Sequence, residues 1–177
     1  MKKCMLKKVI SVVLATLLLV SLVGCIDAEP SKEVGTTSST ASEVDKGQTF
    51  ALNETAVFNT LKITATEIKE SSGSTYFTPA EGKIFVGVNF TIENISDEEQ
   101  TISSILLFDA YVDDVACDLS FTASAAFDGN SLDGTIAPGK KIIGWYAVEV
   151  PADWAELELD VKASWLSSST AKFVFNK

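Results

Sequence analysis

Lys83-Ile84-Phe85-Val86-Gly87-Val88-Asn89-Phe90-Thr91-Ile92-Glu93-Asn94 is the stretch that decides the fold. Ile84, Val86, Val88, Phe90 and Ile92 fall on one face of an extended chain. Phe85, Gly87, Asn89, Thr91 and Glu93 fall on the other. Alternation this long is the signature of a strand with one face against a core, and it matches no helical period.

The same pattern recurs on both sides. Leu61 to Ala65 alternates and then slips phase before Ile68, as a β-bulge would make it do. Ile142, Gly144, Tyr146, Val148 and Val150 alternate until Pro151, which cannot donate to a ladder. Leu157, Leu159 and Val161 repeat it, and Phe173 and Phe175 close the chain. Ile102 to Val112 and Val115 to Phe121 supply two further strands. The one helical candidate is a short turn around Ala123 to Phe127. Short strands punctuated by turn residues predict an all-β protein, an antiparallel β-sandwich of about seven strands over residues 48–177. Pro138-Gly139 suits a type II turn. Asn94 suits a tight corner where its side chain bonds nearby backbone.

The front of the chain reads differently. Lys2, Lys3, Lys7 and Lys8 precede an apolar run from Val9 to Val23. That run is shorter than the ~20 residues a bilayer span needs, and it fits the apolar region of a secretory signal. It ends in Leu22-Val23-Gly24-Cys25, which resembles the bacterial lipobox. The resemblance implies diacylglycerol on the Cys25 thiol and cleavage before it, so that 1–24 is a signal peptide. Residues 25–47 follow, rich in Ser, Thr and Glu with no aromatic residue, and read as a flexible linker.

Composition excludes several activities. All 14 basic residues are Lys; there is no Arg and no His. Catalytic triads and dyads built on His are therefore absent, as are HExxH zinc sites. Removing residues 1–24 takes away four Lys and no acid, moving the net charge from −10 to −14. Nucleic-acid phosphates and anionic headgroups would repel such a chain, so no nucleic-acid partner is expected and membrane residence depends on the anchor. Lys throughout, without Arg, points to an AT-rich genome and a Gram-positive cell.

Three groups of residues could carry chemistry or binding. In Asp109 to Asp118 (DAYVDDVACD), a two-residue turn at Asp113-Asp114 pairs Val112 with Val115 and Ala110 with Cys117. It would then set Asp109 across from Asp118, an arrangement that needs neutralising. A Ca²⁺ ion held by Asp109, Asp113, Asp114 and Asp118 would neutralise it, although no EF-hand spacing is present. The same acids are the basis of an alternative reading, a cation-dependent or carboxylate-based hydrolase. Cys117 is the one thiol left after Cys4 departs with the signal and Cys25 is lipidated; its apolar neighbours favour an inert thiol. Tyr76, Phe77 and Trp145 form a candidate binding surface, with Trp145 and Tyr146 necessarily on opposite faces of their strand.

Gly82-Lys83-Ile84-Phe85-Val86-Gly87-Val88 running on to Ile92-Glu93-Asn94-Ile95-Ser96, and Leu132 to Lys141 followed by Gly144 and Val148-Glu149-Val150-Pro151, together carry a family resemblance. They are similar to the telokin-like, immunoglobulin-fold domain of unknown function common in secreted and lipid-anchored bacterial proteins, over about residues 47 to 165. The resemblance implies an extracytoplasmic immunoglobulin-like sandwich and no reaction. The expectation is a non-catalytic binding domain held by lipid on the extracytoplasmic face of the cell membrane. It has no cofactor beyond the acyl modification, and its partner is an envelope protein or glycan.

Overall fold

The computed structural model describes residues 31–33, 48–127, 130–166 and 168–177. The alternating stretches all become strands, and short edge pieces join them. In chain order these are β1 (Ser31–Glu33), β2 (Thr49–Phe50), β3 (Thr55–Val57), β4 (Leu61–Ser71), β5 (Lys83–Asn94) and β6 (Gln100–Ile102). Then come a helical turn α1 (Ser104–Leu107), β7 (Phe108–Val112), β8 (Val115–Cys117) and a second turn α2 (Phe121–Ser124). The chain ends with β9 (Gly134–Ile136), β10 (Lys141–Pro151), β11 (Glu156–Lys162) and β12 (Thr170–Asn176).

Two five-stranded sheets result, ordered β1-β3-β4-β5-β10 and β2-β12-β11-β7-β8, with a ribbon of β6 and β9 beside them. The fold is the all-β sandwich that the alternation predicts. The strand number exceeds seven because β1, β2, β3, β6 and β9 are two or three residues long. Every pairing is antiparallel except β2 with β12, which is parallel.

Period-two patterning places the large residues. On β5, Val86, Val88, Phe90 and Ile92 are buried in the main core with Leu61, Ile63, Leu159 and Phe173. Phe90 sits between the sheets, edge-on to Phe108 at 5.2 Å and to Phe173 at 5.4 Å. Each such ring contributes ~1.5–3 kcal/mol by leaving water. The phase slip in β4 is a bulge: β4 and β5 shift register between Ala65 and Glu67.

The outer face of β5 is not left to solvent. Phe85 packs with Ala123, Phe127, Trp145 and Ala147 in a second small cluster. Gly87 makes room for it, since a Cβ there would meet the Phe127 ring at 2.8–2.9 Å. The helical turn falls at Phe121–Ser124, slightly ahead of the expected Ala123 to Phe127, with the Ser120 hydroxyl accepting from the Ala123 amide at 3.1 Å.

Two expected strands are shorter than the sequence suggests. The run from Ile102 to Val112 is broken by α1, because Asp133 accepts from the Ser104 amide at 2.8 Å and from its hydroxyl, capping a turn there. The run from Val115 ends at Cys117, and the chain then crosses to the other sheet, where the Ser120 amide donates to the Ala147 carbonyl at 2.9 Å.

Asn94 and Pro138-Gly139 close one end together. Asn94 is fully buried; its Nδ2 donates to the carbonyls of Glu98 (2.7 Å) and Ile136 (2.8 Å). Its Oδ1 accepts from the Ser96 amide (2.9 Å) and hydroxyl (2.7 Å), so every polar site on the amide is used. Gly139 has φ 67°, and the Lys140 amide closes the turn onto the Ala137 carbonyl at 3.0 Å, as a type II turn requires.

Residues 1–24, Cys25 and most of the stretch read as a linker lie outside the described residues. Within that stretch, however, β1 pairs with β3: Ser31 faces Val57, Lys32 faces Ala56 and Glu33 faces Thr55. These three residues extend the sheet instead of continuing the linker.

Candidate binding surface

The acidic hairpin folds in the register its sequence dictates: Val112 faces Val115, Tyr111 faces Ala116 and Ala110 faces Cys117. Asp113 and Asp114 form its two-residue turn, both with positive φ (48° and 66°), the conformation of a type I′ hairpin. The pairing stops at Cys117, so Asp109 is not held opposite Asp118. Its cross-strand neighbour is Asp160 on β11.

Two of these acids, Asp109 and Asp113, find partners within the chain itself. The Lys162 ammonium bonds the Asp109 carboxylate. Asp113 Oδ1 accepts from the amides of Ala155 (3.0 Å) and Glu156 (2.9 Å), using its charge to fix the hairpin against β11. Lys172 pairs with Glu158 at 2.6 Å and faces Asp160 in the ladder, and that Glu158 bond raises its own pKa. Burial pushes the Asp160 carboxyl up; Lys172 draws it down, while Glu158 and Asp109 add to the rise. Among the described residues, no group of three or more acids or thiols is arranged to hold a metal ion. The four carboxylates named from sequence therefore do not converge on one point.

Cys117 is half-buried against the core, and burial, then the neighbouring Asp118 charge, pushes its thiol up to about 11. At neutral pH it stays protonated and is a poor nucleophile. Tyr146 is likewise raised, first by burial and then by Cys117, Asp109 and Asp118.

The aromatic trio separates. Tyr76 is 87% exposed and Phe77 partly so, in the loop between β4 and β5. Trp145 is a correction: it is buried, stacked on Phe127 with ring centres 5.1 Å apart and planes 19° apart. Lys69 Nζ lies over the indole, 5.4 Å from the ring centre. Trp145 and Tyr146 do face opposite ways, but each found a core, Tyr146 stacking on Phe108 at 4.9 Å. Sequence reasoning missed Phe127 as the covering residue, although Gly87 and Ala147, small residues side by side on adjacent strands, signal a slot for a large ring.

What the structure does assemble is a groove of about 330 Å³ beside the edge strand β8. Tyr111, Ala116, Cys117 and Leu119 line it, and Phe121 and Ile105 stand at its mouth, both more than 60% exposed. Asp118 and Asp109 are also among its lining residues. Ile105, Leu119 and Phe121 were not singled out from sequence, because each falls inside a run that reads as a strand. A second hollow of about 270 Å³ is polar, lined by Asp113, Asp114, Glu156, Glu158, Lys172 and Tyr111.

The architecture has solved counterparts. A candidate lipoprotein of Bacillus subtilis aligns over 67% of this chain with a TM-score of 0.55 and 14% identity. This chain spans 37% of that protein's length. An uncharacterised β-sandwich protein of Clostridium difficile aligns over 78% of this chain and 100% of its own, with a TM-score of 0.50 and 14% identity. At that identity the likeness is one of fold. No curated protein matches the sequence. The family model described as a domain of unknown function, DUF4352, matches residues 50–172, from β2 into β12, and the chain belongs to that family.

Proposed function

We propose that this protein is a non-catalytic binding domain of the bacterial cell envelope, held on the extracytoplasmic face of the membrane by lipid on Cys25. Its sandwich is of the telokin-like, immunoglobulin type, and its contact surface is the groove beside β8. The observation that carries this reading is that groove: an apolar hollow with Phe121 and Ile105 exposed at its mouth and Asp109 and Asp118 among its lining residues. The side chains nearest to chemistry are otherwise occupied, Asp109 with Lys162, Asp113 with two backbone amides, and Cys117 as a protonated thiol.

The occupant is an extended protein segment with apolar side chains and a basic residue. β8 lies at the end of its sheet order, so one of its sides is open to another strand. A basic residue complements Asp118 and the net charge of the mature chain. Anchoring raises local concentration, so weak intrinsic affinity suffices.

Site-specific photo-crosslinking in intact cells tests the surface. A crosslinker at position 121 should capture a defined envelope protein through an extended segment, identified by peptide mapping. The same probe at Ile143, exposed on β10, should not. Glycan adducts at 121, or equal capture from both positions, would reject the peptide groove.

A further inference from the structure

The strand registers place the start of β1 and an exposed apolar loop at one end of the sandwich. Ser31 pairs with Val57, Val57 with Lys62, and Leu61 with Asn94, so the chain enters β1 at the Asn94 end of its sheet. In the other sheet, Lys162 pairs with Thr170, so the connection from β11 to β12 leaves and returns at the end where β11 stops and β12 starts. The core fixes which ends coincide. Phe90 meets Phe173 between the sheets, while at the Lys83 end of β5, where Glu70 pairs with Val86, the Glu70 carboxylate accepts from Trp154 Nε1 at 2.8 Å and lies 3.3 Å from Lys177 Nζ, so the start of β11 and the end of β12 sit at that end. The Trp165-Leu166 loop therefore projects at the Asn94 end, the end at which the chain enters β1.

That loop carries Trp165 and Leu166, 69% and 73% exposed. Val161 pairs with Phe108, so α1 lies next to it, with Ile105 and Leu106 also exposed. Exposed Trp and Leu together are unfavourable in water but suit the membrane interface, where an indole is both apolar and hydrogen-bonded. Cys25 is six residues before Ser31, a reach of at most ~20 Å.

We propose that the Trp165-Leu166 loop dips into the lipid interface on which Cys25 anchors the chain, holding the sandwich with its Asn94 end toward the bilayer. This rests on the lipid-anchored reading above. A single acylated residue fixes position but not orientation; an apolar contact at the same end supplies the orientation. It leaves the two-Asp hairpin turn, at the far end of β7, pointing away from the membrane. Charge does not drive the contact. Lys62, Lys140 and Lys141 share that end with Glu93, Asp97, Glu98 and Glu99, so zwitterionic and anionic lipids should serve alike.

The test uses the full mature protein, extracted from membranes and reconstituted into phosphatidylcholine vesicles with or without brominated acyl chains. Trp145 and Trp154 are buried, so Trp165 dominates the quenchable fluorescence. The expected result is a blue shift on reconstitution and quenching by brominated lipid, with protection from aqueous acrylamide. Both effects should be lost in Trp165→Phe, whose melting temperature stays unchanged. Acrylamide quenching with none from brominated lipid would overturn the inference. So would shielding from both, which means a protein covers the loop. The intact mass of the same sample reads the anchor separately. An acylated chain with unquenched Trp165 removes the loop contact and keeps the anchor; an unacylated chain removes the anchored reading and this inference with it.

Discussion

Replacing Asn94 with Ala isolates the contact that ties the two halves of the chain together. The side chain is fully buried and makes four hydrogen bonds, two as donor and two as acceptor. The bond to the Ile136 carbonyl is itself buried, and an orphaned buried acceptor costs ~1–3 kcal/mol. The Glu98 and Ser96 partners are less enclosed and recover water, so their loss adds about 1 kcal/mol together. The total is about 2–4 kcal/mol, or roughly 10 °C in melting temperature for a domain of this size. Urea unfolding followed by circular dichroism measures it, with an unchanged m-value expected because the same surface is exposed. Gly139→Ala is the matched control: its Cβ would meet nothing within 4 Å, so only the φ of 67° resists it. That should cost about 1 kcal/mol. If Asn94→Ala loses less than Gly139→Ala, the corner is held by the turn alone and the reasoning fails.

Other consequences are open to measurement. Gly87→Ala should destabilise by about 1–3 kcal/mol by driving a methyl into the Phe127 ring, and adding Phe127→Ala should recover part of that loss in a double-mutant cycle. For Asp133, burial alone would raise the carboxyl, but hydrogen bonds from Ser131 and from the Ser104 amide and hydroxyl together lower it below its usual 3.8. Its contribution is therefore complete above the unfolded value and fades as pH falls through the lower folded value, so Asp133→Asn should flatten the acid limb of a pH-stability curve. Native Cys117, raised from 9.0 to about 11, should react with iodoacetamide at pH 8 ~100-fold more slowly than in the urea-unfolded chain. Millimolar Ca²⁺ should leave the melting temperature unchanged, because Lys162 and backbone amides already serve Asp109 and Asp113; an upward shift would revive the acidic hairpin as a cation site.

The sandwich was legible because its long strands alternate, and a face packed against the core allows only one register. The β4 bulge, the Pro138-Gly139 turn and the Asp113-Asp114 hairpin were readable for the same reason, each being local chemistry. What stayed hidden depends on contacts distant in sequence. α1 interrupts an apparent strand because Asp133, 29 residues on, caps Ser104. Trp145 reads as a free aromatic until Phe127 folds over it. Asp109 suggests a cation site until β11 brings Lys162 alongside. The groove beside β8 was illegible because its walls come from α1, the hairpin and the crossing to α2, none of which is distinctive alone.

Mass spectrometry of the N-terminal peptide from the native membrane-bound protein bears most directly on the account. It should find the chain beginning at Cys25, with diacylglycerol on the thiol and residues 1–24 gone. A chain that retains those residues, or one that begins elsewhere with an unmodified Cys25, would contradict a lipid-held envelope domain.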